Sequence, residues 1–398
     1  MADHMQSTSG TWVLPDAKKP PIMGAMGTRD RAAQSARDGV RVLPLVGAPI
    51  LPLPEHVRRA VAHAMERPDP RDSRGLPELR AAIADELGRE HGLRVDPDRR
   101  LLITHGAMHG LSLVLRTVLA AGDEVIVPTP TFFFDGAIRE AGATAAYVPS
   151  RERDGWALDL AGMEAAVTPR SRAVLLCNPN NPTGQLPDAA TIAAVVDIAA
   201  RHGLLVISDD SWQHFTFDGR RYQSVEAFAD RWPHIVTVMS LSKYYALASW
   251  RMGYVLAPPP VIDALEHRLQ WEAVCCGAVP QSAAAATLTG PRDWLDEALS
   301  TYQAKRDLVC DGIAAVGLPA PVRPDAGAFL LVDCSRLGNT PADIDRALLR
   351  NGIAAVRGAD MHAPDTHVRL TFGSDEQLLR ELLRRLARTC QESEVGRS

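Results

Sequence analysis

Lysine is scarce in this chain. Lys18, Lys19, Lys243 and Lys305 are the whole complement, and every other permanently basic side chain is arginine. Arginine cannot serve where a protein needs an amine nucleophile, because its guanidinium stays protonated and delocalised. Lys18 and Lys19 lie in a polar, proline-rich arm, and Lys305 sits among Gln303, Arg306 and Asp307 on an amphipathic stretch. If the chain performs imine chemistry, Lys243 is the candidate amine.

Other absences narrow the class. No uninterrupted apolar run is long enough to span a bilayer. A formal net charge of -5 offers no basic field for nucleic acid. Met1-Ala2-Asp3-His4 lacks the basic-then-apolar pattern of a secretory leader. Cys177, Cys275, Cys276, Cys310, Cys334 and Cys390 contain no CxxC pair. They read as reduced core thiols of a cytoplasmic protein, with no disulfide framework and no metal site. There is no internal repeat and no low-complexity tract. What remains is ordinary for a soluble globular chain: 46% hydrophobic and 23% charged residues over 398 positions, a length that suits two domains.

Along the chain, residues 1–45 form an arm with one short helix near Arg29–Arg37. Pro54–Met65 and a segment from Pro77 to His91 read as helices opened by proline and an acidic residue. From Leu101 onward, short apolar strands alternate with helices. Strands are expected at Leu101–Thr104, Glu124–Val127, Thr144–Val148, Ala173–Cys177, Leu204–Ser208, Ile235–Met239 and Gly253–Ala257. That alternation predicts an α/β fold with a mostly parallel sheet covered by helices on both faces. Ligands of such sheets collect beyond the carboxyl ends of the strands. Pro291–Val316 reads as one long helix. Strands at Gly327–Val332, Ile353–Val356 and His367–Phe372, with helices at Ala342–Arg350 and Asp375–Thr389, then make a smaller α+β unit. The expected domains are the arm at 1–45, a large domain at 46–290 and a small one at 291–398.

The polar oddities sit at the strand ends. Lys243 follows Ile235–Met239 on a hydroxyl-lined turn, Ser240-Leu241-Ser242-Lys243. Taken alone it reads equally as a buried amine with a lowered pKa or as a lysine snorkelling from a loop. Asn178-Pro179-Asn180-Asn181-Pro182-Thr183-Gly184 follows another strand and reads as a rigid turn or as a fixed amide aimed over the sheet edge. Asp209, after a buried strand, is costly unless it meets a cation, although a helix cap is the common alternative.

Asn181-Pro182-Thr183-Gly184, Asp209, Ser240-x-Ser242-Lys243 and Trp250-Arg251-x-Gly253 together resemble the class I/II aminotransferases, the aspartate aminotransferase-like enzymes of fold type I. Each motif is weak, but four in order, each after an expected strand, are hard to produce by chance. The resemblance covers roughly residues 45–390. It implies a seven-stranded-type sheet, pyridoxal 5'-phosphate as cofactor, and amino-group exchange between an L-amino acid and a 2-oxo acid. Lys243 would form the Schiff base and then move the Cα proton. Asp209 would keep the pyridine nitrogen protonated, and Asn181 would donate to the cofactor's phenolic oxygen. Phe132 would stack on the ring. Ala107 and Met108 backbone amides, with Ser240, Ser242 and Arg251, would hold the phosphate. Arg369 would grip the substrate carboxylate beside Gly47 and Asn181. A homodimer with sites near the subunit interface is implied too.

Three departures qualify the match. Trp212 stands where the family's cofactor-binding tyrosine is usual, and an indole offers one donor and cannot ionise as a phenol does. No tyrosine occurs in Asp69-Pro70-Arg71-Asp72-Ser73, where one usually reaches the partner's phosphate. Ser249 replaces the usual glycine before Trp250. These changes keep open a β-eliminating C–S lyase or an oxidative deaminase, with or without decarboxylation, on the same scaffold. A DNA-binding regulator is disfavoured, because the residues before Gly47 are not basic and helical. The Phe132-Phe133-Phe134 cluster suits either a bulky apolar substrate or a core.

Overall fold

The computed structural model describes residues 24–66 and 72–395. Seven strands form the main sheet: β1 (Leu101–Thr104), β2 (Glu124–Thr129), β3 (Thr144–Pro149), β4 (Ser171–Cys177), β5 (Leu205–Asp209), β6 (Ile235–Ser240) and β7 (Gly253–Leu256). Their order is β1-β7-β6-β5-β4-β2-β3. β7 runs antiparallel to both neighbours, and the adjacent pairs among β2 to β6 are parallel. The central strands are almost wholly buried, as their unbroken apolar runs require of a sheet covered on two faces.

Alternation along each strand divides the side chains between two layers. Leu175, Ile207, Val236 and Val238 pack with Leu111, Val114 and Leu115 of helix Ala107–Val118. Val174, Leu176 and Val206 pack with Ile192, Val195 and Val196 of helix Ala189–His202. That second helix is delimited by its own chemistry. Asp188 caps it by accepting from Thr191 N at 2.8 Å, and Gly203 ends it with φ 66°. Such a cap contributes about 1 kcal/mol.

The second unit holds a three-stranded antiparallel sheet of β8 (Phe329–Asp333), β9 (Val356–Arg357) and β10 (His367–Thr371), with β10 in the middle. Two expectations change here. The stretch 291–316 is two helices, Asp293–Ser300 and Tyr302–Ala315. At the break, Ser300 Oγ donates to Glu297 O at 2.7 Å and Thr301 Oγ1 to Ala298 O at 2.8 Å. Hydroxyls that bond back onto carbonyls one turn earlier compete with helix propagation. The strand expected at Ile353–Val356 shrinks to the two residues of β9, because only Val356 and Arg357 find partners on β10. No described helix is long and apolar enough to cross a membrane.

Candidate active site

The carboxyl ends of the parallel strands converge on one pocket. Its walls are Ala107, Met108, Phe132, Cys177, Asn181, Asp209, Ser211, Trp212, Ser240, Ser242, Lys243 and Arg251. Ten residues singled out from the sequence thus share one cavity, drawn from five separate strand ends and the loop before β7. Gly47 and Arg369 do not line it but touch residues that do. Arg369, on β10, donates from Nη1 to Asn181 Oδ1 at 2.9 Å. A Cβ built on Gly47 would lie 3.6 Å from the Trp212 ring, an ordinary contact, so space alone does not demand glycine there.

Lys243 is half-buried. Its Nζ lies 5.2 Å from the Trp212 ring centroid and has no hydrogen bond or ion pair among the described residues. Burial lowers its pKa, and the positive charges of Arg369 and Arg251 add to that, while Asp209 opposes them. Asp209 ends β5, with 6% of its surface exposed. Burial raises its pKa, against hydrogen bonds from Ser211 and the charge of Lys243. Both Ser211 donors, N at 3.1 Å and Oγ, go to Oδ1, so Oδ2 carries no protein donor among the described residues. Asn181 is similarly oriented: Arg369 takes its Oδ1, which leaves the amide nitrogen to point elsewhere. Burial pushes the Arg369 guanidinium down to about 10, and its Nε has no partner among the described residues.

A second cluster lines the same pocket. Helix Ala107–Val118 begins here, offering unpaired N–H groups and a positive dipole end. Ser242 N donates to Ser240 Oγ at 3.2 Å, and Arg251 Nη1 donates to Ser242 Oγ at 3.2 Å. Arg251 adopts a left-handed backbone, φ 54°, just before β7. Close approach requires two glycines. A Cβ on Gly106 would meet Arg251 Nη2 at 2.8 Å, and one on Gly253 would meet Met239 O at 2.4 Å and Ala107 N at 2.9 Å.

The matches among known proteins agree with this geometry. Residues 48–386 match the family model "Aminotransferase class I and II". The chain belongs to the class I and II aminotransferases. The aspartate/prephenate aminotransferase of Thermus thermophilus is 31% identical over 379 residues, covering 94% of this chain and 96% of that one. The arginine–pyruvate transaminase of Pseudomonas aeruginosa is 33% identical over 322 residues, covering 79% of this chain and 81% of the relative. The solved aspartate aminotransferase from Thermus thermophilus with maleate superposes with a TM-score of 0.88 at 30% identity, over 95% of this chain and all (100%) of that one. Like the rest of this family, this aminotransferase is a pyridoxal-phosphate enzyme.

Two pocket residues were not among the sequence candidates. Ser211 is two positions after Asp209, the spacing at which a carboxylate accepts from its own downstream backbone, and that signal was readable. Cys177 is the last residue of β4 and pairs in register with Asp209. Only the sheet order makes them neighbours. Trp212 packs edge-on against Phe215 and Phe329, at 5.0 and 4.9 Å between ring centroids. Of the phenylalanine cluster, Phe133 and Phe134 are core, and Phe132 alone reaches the pocket. Residues 69–71, where the family tyrosine is missing, lie outside the described residues.

Proposed function

We propose that Lys243 is the amine that carries the cofactor and moves the Cα proton of an α-amino acid, whose amino group is exchanged with a 2-oxo acid. The observation that carries this reading is the pocket itself. A half-buried amine with a lowered pKa, and no hydrogen-bonding partner among the described residues, shares the pocket with a carboxylate whose Oδ2 has no donor among them. A helix start, two hydroxyls and an arginine line the same pocket. These groups fit pyridoxal phosphate. Ala107 and Met108 N–H, Ser240, Ser242 and Arg251 suit a phosphate dianion. Asp209 suits a protonated ring nitrogen, the Asn181 amide suits a phenolate oxygen, and Phe132 suits the ring face. Bound there, the cofactor supplies an aldehyde and an electron-withdrawing ring.

The chain's own groups do the rest. A lysine with a lowered pKa gives up and takes back a proton more readily than an ordinary lysine. Arg369, whose guanidinium donates from Nη1 to Asn181 and whose Nε has no partner among the described residues, would fork its remaining N–H groups onto a substrate α-carboxylate next to Gly47. Trp212 stands behind Lys243 and presents an aromatic face to the ammonium form.

The protein is read as a homodimer of the arm 1–45, large domain 46–290 and small domain 291–398. No disulfide joins the cysteines among the described residues, in keeping with a cytoplasmic setting. Incubation with an amino-acid panel and 2-oxoglutarate tests the reaction. Glutamate formation is expected. Ammonia with pyruvate or thiol would point to β-elimination, and peroxide to an oxidative deaminase. Family membership favours transfer over both.

A further inference from the structure

Two tyrosines follow Lys243, and neither lines the pocket. Tyr245 is buried, and its hydroxyl donates to Glu86 Oε1. Tyr244 donates to Asp296 Oδ1 at 2.8 Å. His214, two residues after Trp212, stacks on Tyr244 with ring centroids 4.3 Å apart, and its Nε2 lies 3.2 Å from the Tyr245 hydroxyl. Glu86 is inside helix Pro77–His91 with 5% of its surface exposed. Arg292 grips it with a fork, Nη1 to Oε1 at 3.2 Å and Nη2 to Oε2 at 3.1 Å. Arg292 immediately precedes helix Asp293–Ser300, which also carries Asp296.

One buried carboxylate therefore joins a helix, the turn after Lys243, the segment after Trp212 and the start of the second unit. A buried ion pair adds little to stability compared with an apolar cluster of the same volume, whereas removing one partner is costly. Its value lies in fixing one arrangement of the groups it joins. The groups joined here are the neighbours of the reactive amine and of the indole behind it.

We propose that Glu86 is a positioning residue for Lys243. Held by Arg292 and acting through Tyr245, whose hydroxyl also meets His214, it sets the turn from which the lysine side chain enters the pocket. The proposal rests on Lys243 being the reactive amine.

Tyr245→Phe deletes one hydroxyl from the network, and Glu86→Gln keeps the side-chain size while removing its charge, so at least one variant is expected to fold. The scarcity of lysine allows a readout that needs no cofactor. Competitive amine labelling of the cofactor-free protein, mapped by mass spectrometry, reports Lys243 against Lys305 as internal reference. The expected result is a several-fold change in relative Lys243 labelling, with kcat lower by about tenfold to a hundredfold and KM nearly unchanged. A lower melting temperature with wild-type kcat and wild-type Lys243 labelling would overturn the proposal and leave a purely structural network. Lys243→Ala separates the two readings. Turnover surviving in Lys243→Ala removes the reading of Lys243 itself, and the proposal with it. Loss of turnover there, beside wild-type behaviour in Tyr245→Phe and Glu86→Gln, removes the proposal alone.

Discussion

Asp209 and Asp210 are adjacent, yet their surroundings assign them different chemistry. Asp209 ends a strand facing Lys243 across the pocket. Asp210 is 1% exposed and accepts from Ser208 Oγ; the Tyr222 hydroxyl is its other polar neighbour, beyond hydrogen-bond distance, so Oδ2 has no partner among the described residues. Burial pushes it up to about 7. A carboxyl whose folded pKa lies above its unfolded value contributes stability that is present at low pH and lost as pH rises through the folded value. Asp210→Asn preserves the neutral shape and abolishes the titration. Its stability relative to the native protein should improve by about 3 kcal/mol between pH 5 and pH 8.5. Urea unfolding of the cofactor-free proteins at both pH values checks this, and parallel curves would sink it. Ser211→Ala argues the complementary case. Ser211 donates to the charged form of Asp209, so losing its hydroxyl raises the Asp209 pKa. The acid limb of the pH–rate profile should move toward neutrality, with kcat at the plateau down about tenfold for one charge-assisted bond. Lys243 and Asp209 stood out as single residues because each follows an apolar strand, although each alone left an ordinary reading open, and Arg369, inside β10, was named only through the family resemblance. Ser211, Cys177 and Glu86 were not all so visible. Cys177 and Glu86 look like core or surface helix residues until the fold brings them to their partners.

At the scale of elements, the strands were the easiest to read. Their apolar runs are short, bounded by turn residues, and end where the chemistry begins. What periodicity could not show was direction. β7 is antiparallel to its neighbours, and nothing in Gly253–Leu256 distinguishes it from a parallel strand. Helix 291–316 failed for a local reason, the two hydroxyls at Ser300 and Thr301. The loop between β1 and its helix carries the tightest constraint. Gly106 has φ 85° and ψ 168°, a region open to glycine, and its missing Cβ makes room for the Arg251 guanidinium. Gly106→Ala should strain this turn by about 1–3 kcal/mol and push Arg251 away from the helix start. Equilibrium titration with pyridoxal phosphate should then show at least tenfold weaker binding. Affinity equal to wild type would mean that the phosphate is held somewhere other than this cup.

For the whole molecule, the proposal of a homodimer has visible support in what the single chain leaves uncovered. Trp271 is 93% exposed, at the end of helix Pro259–Glu272, and Val274, 67% exposed, follows in a turn where it adopts φ 61°. Ile50 and Met65 are 78% and 67% exposed around helix Glu55–Glu66. That helix packs on helix Ala278–Thr289, which follows directly from the Trp271 turn, so these residues belong to neighbouring segments. Single exposed apolar residues are common, but a nearly naked tryptophan beside an exposed valine marks a surface that a partner would cover. A stable interface between copies would bury well over 1,000 Å² as an order of magnitude, and an aromatic at its centre would carry a large share of the binding energy. Sedimentation equilibrium should therefore give about twice the mass of one chain, and Trp271→Arg should shift the equilibrium toward monomer by at least tenfold in dissociation constant. Activity measured alongside decides what the contact is for. Turnover falling in step with dissociation fits a pocket completed by a second copy. A fully active monomer would make the described pocket self-sufficient.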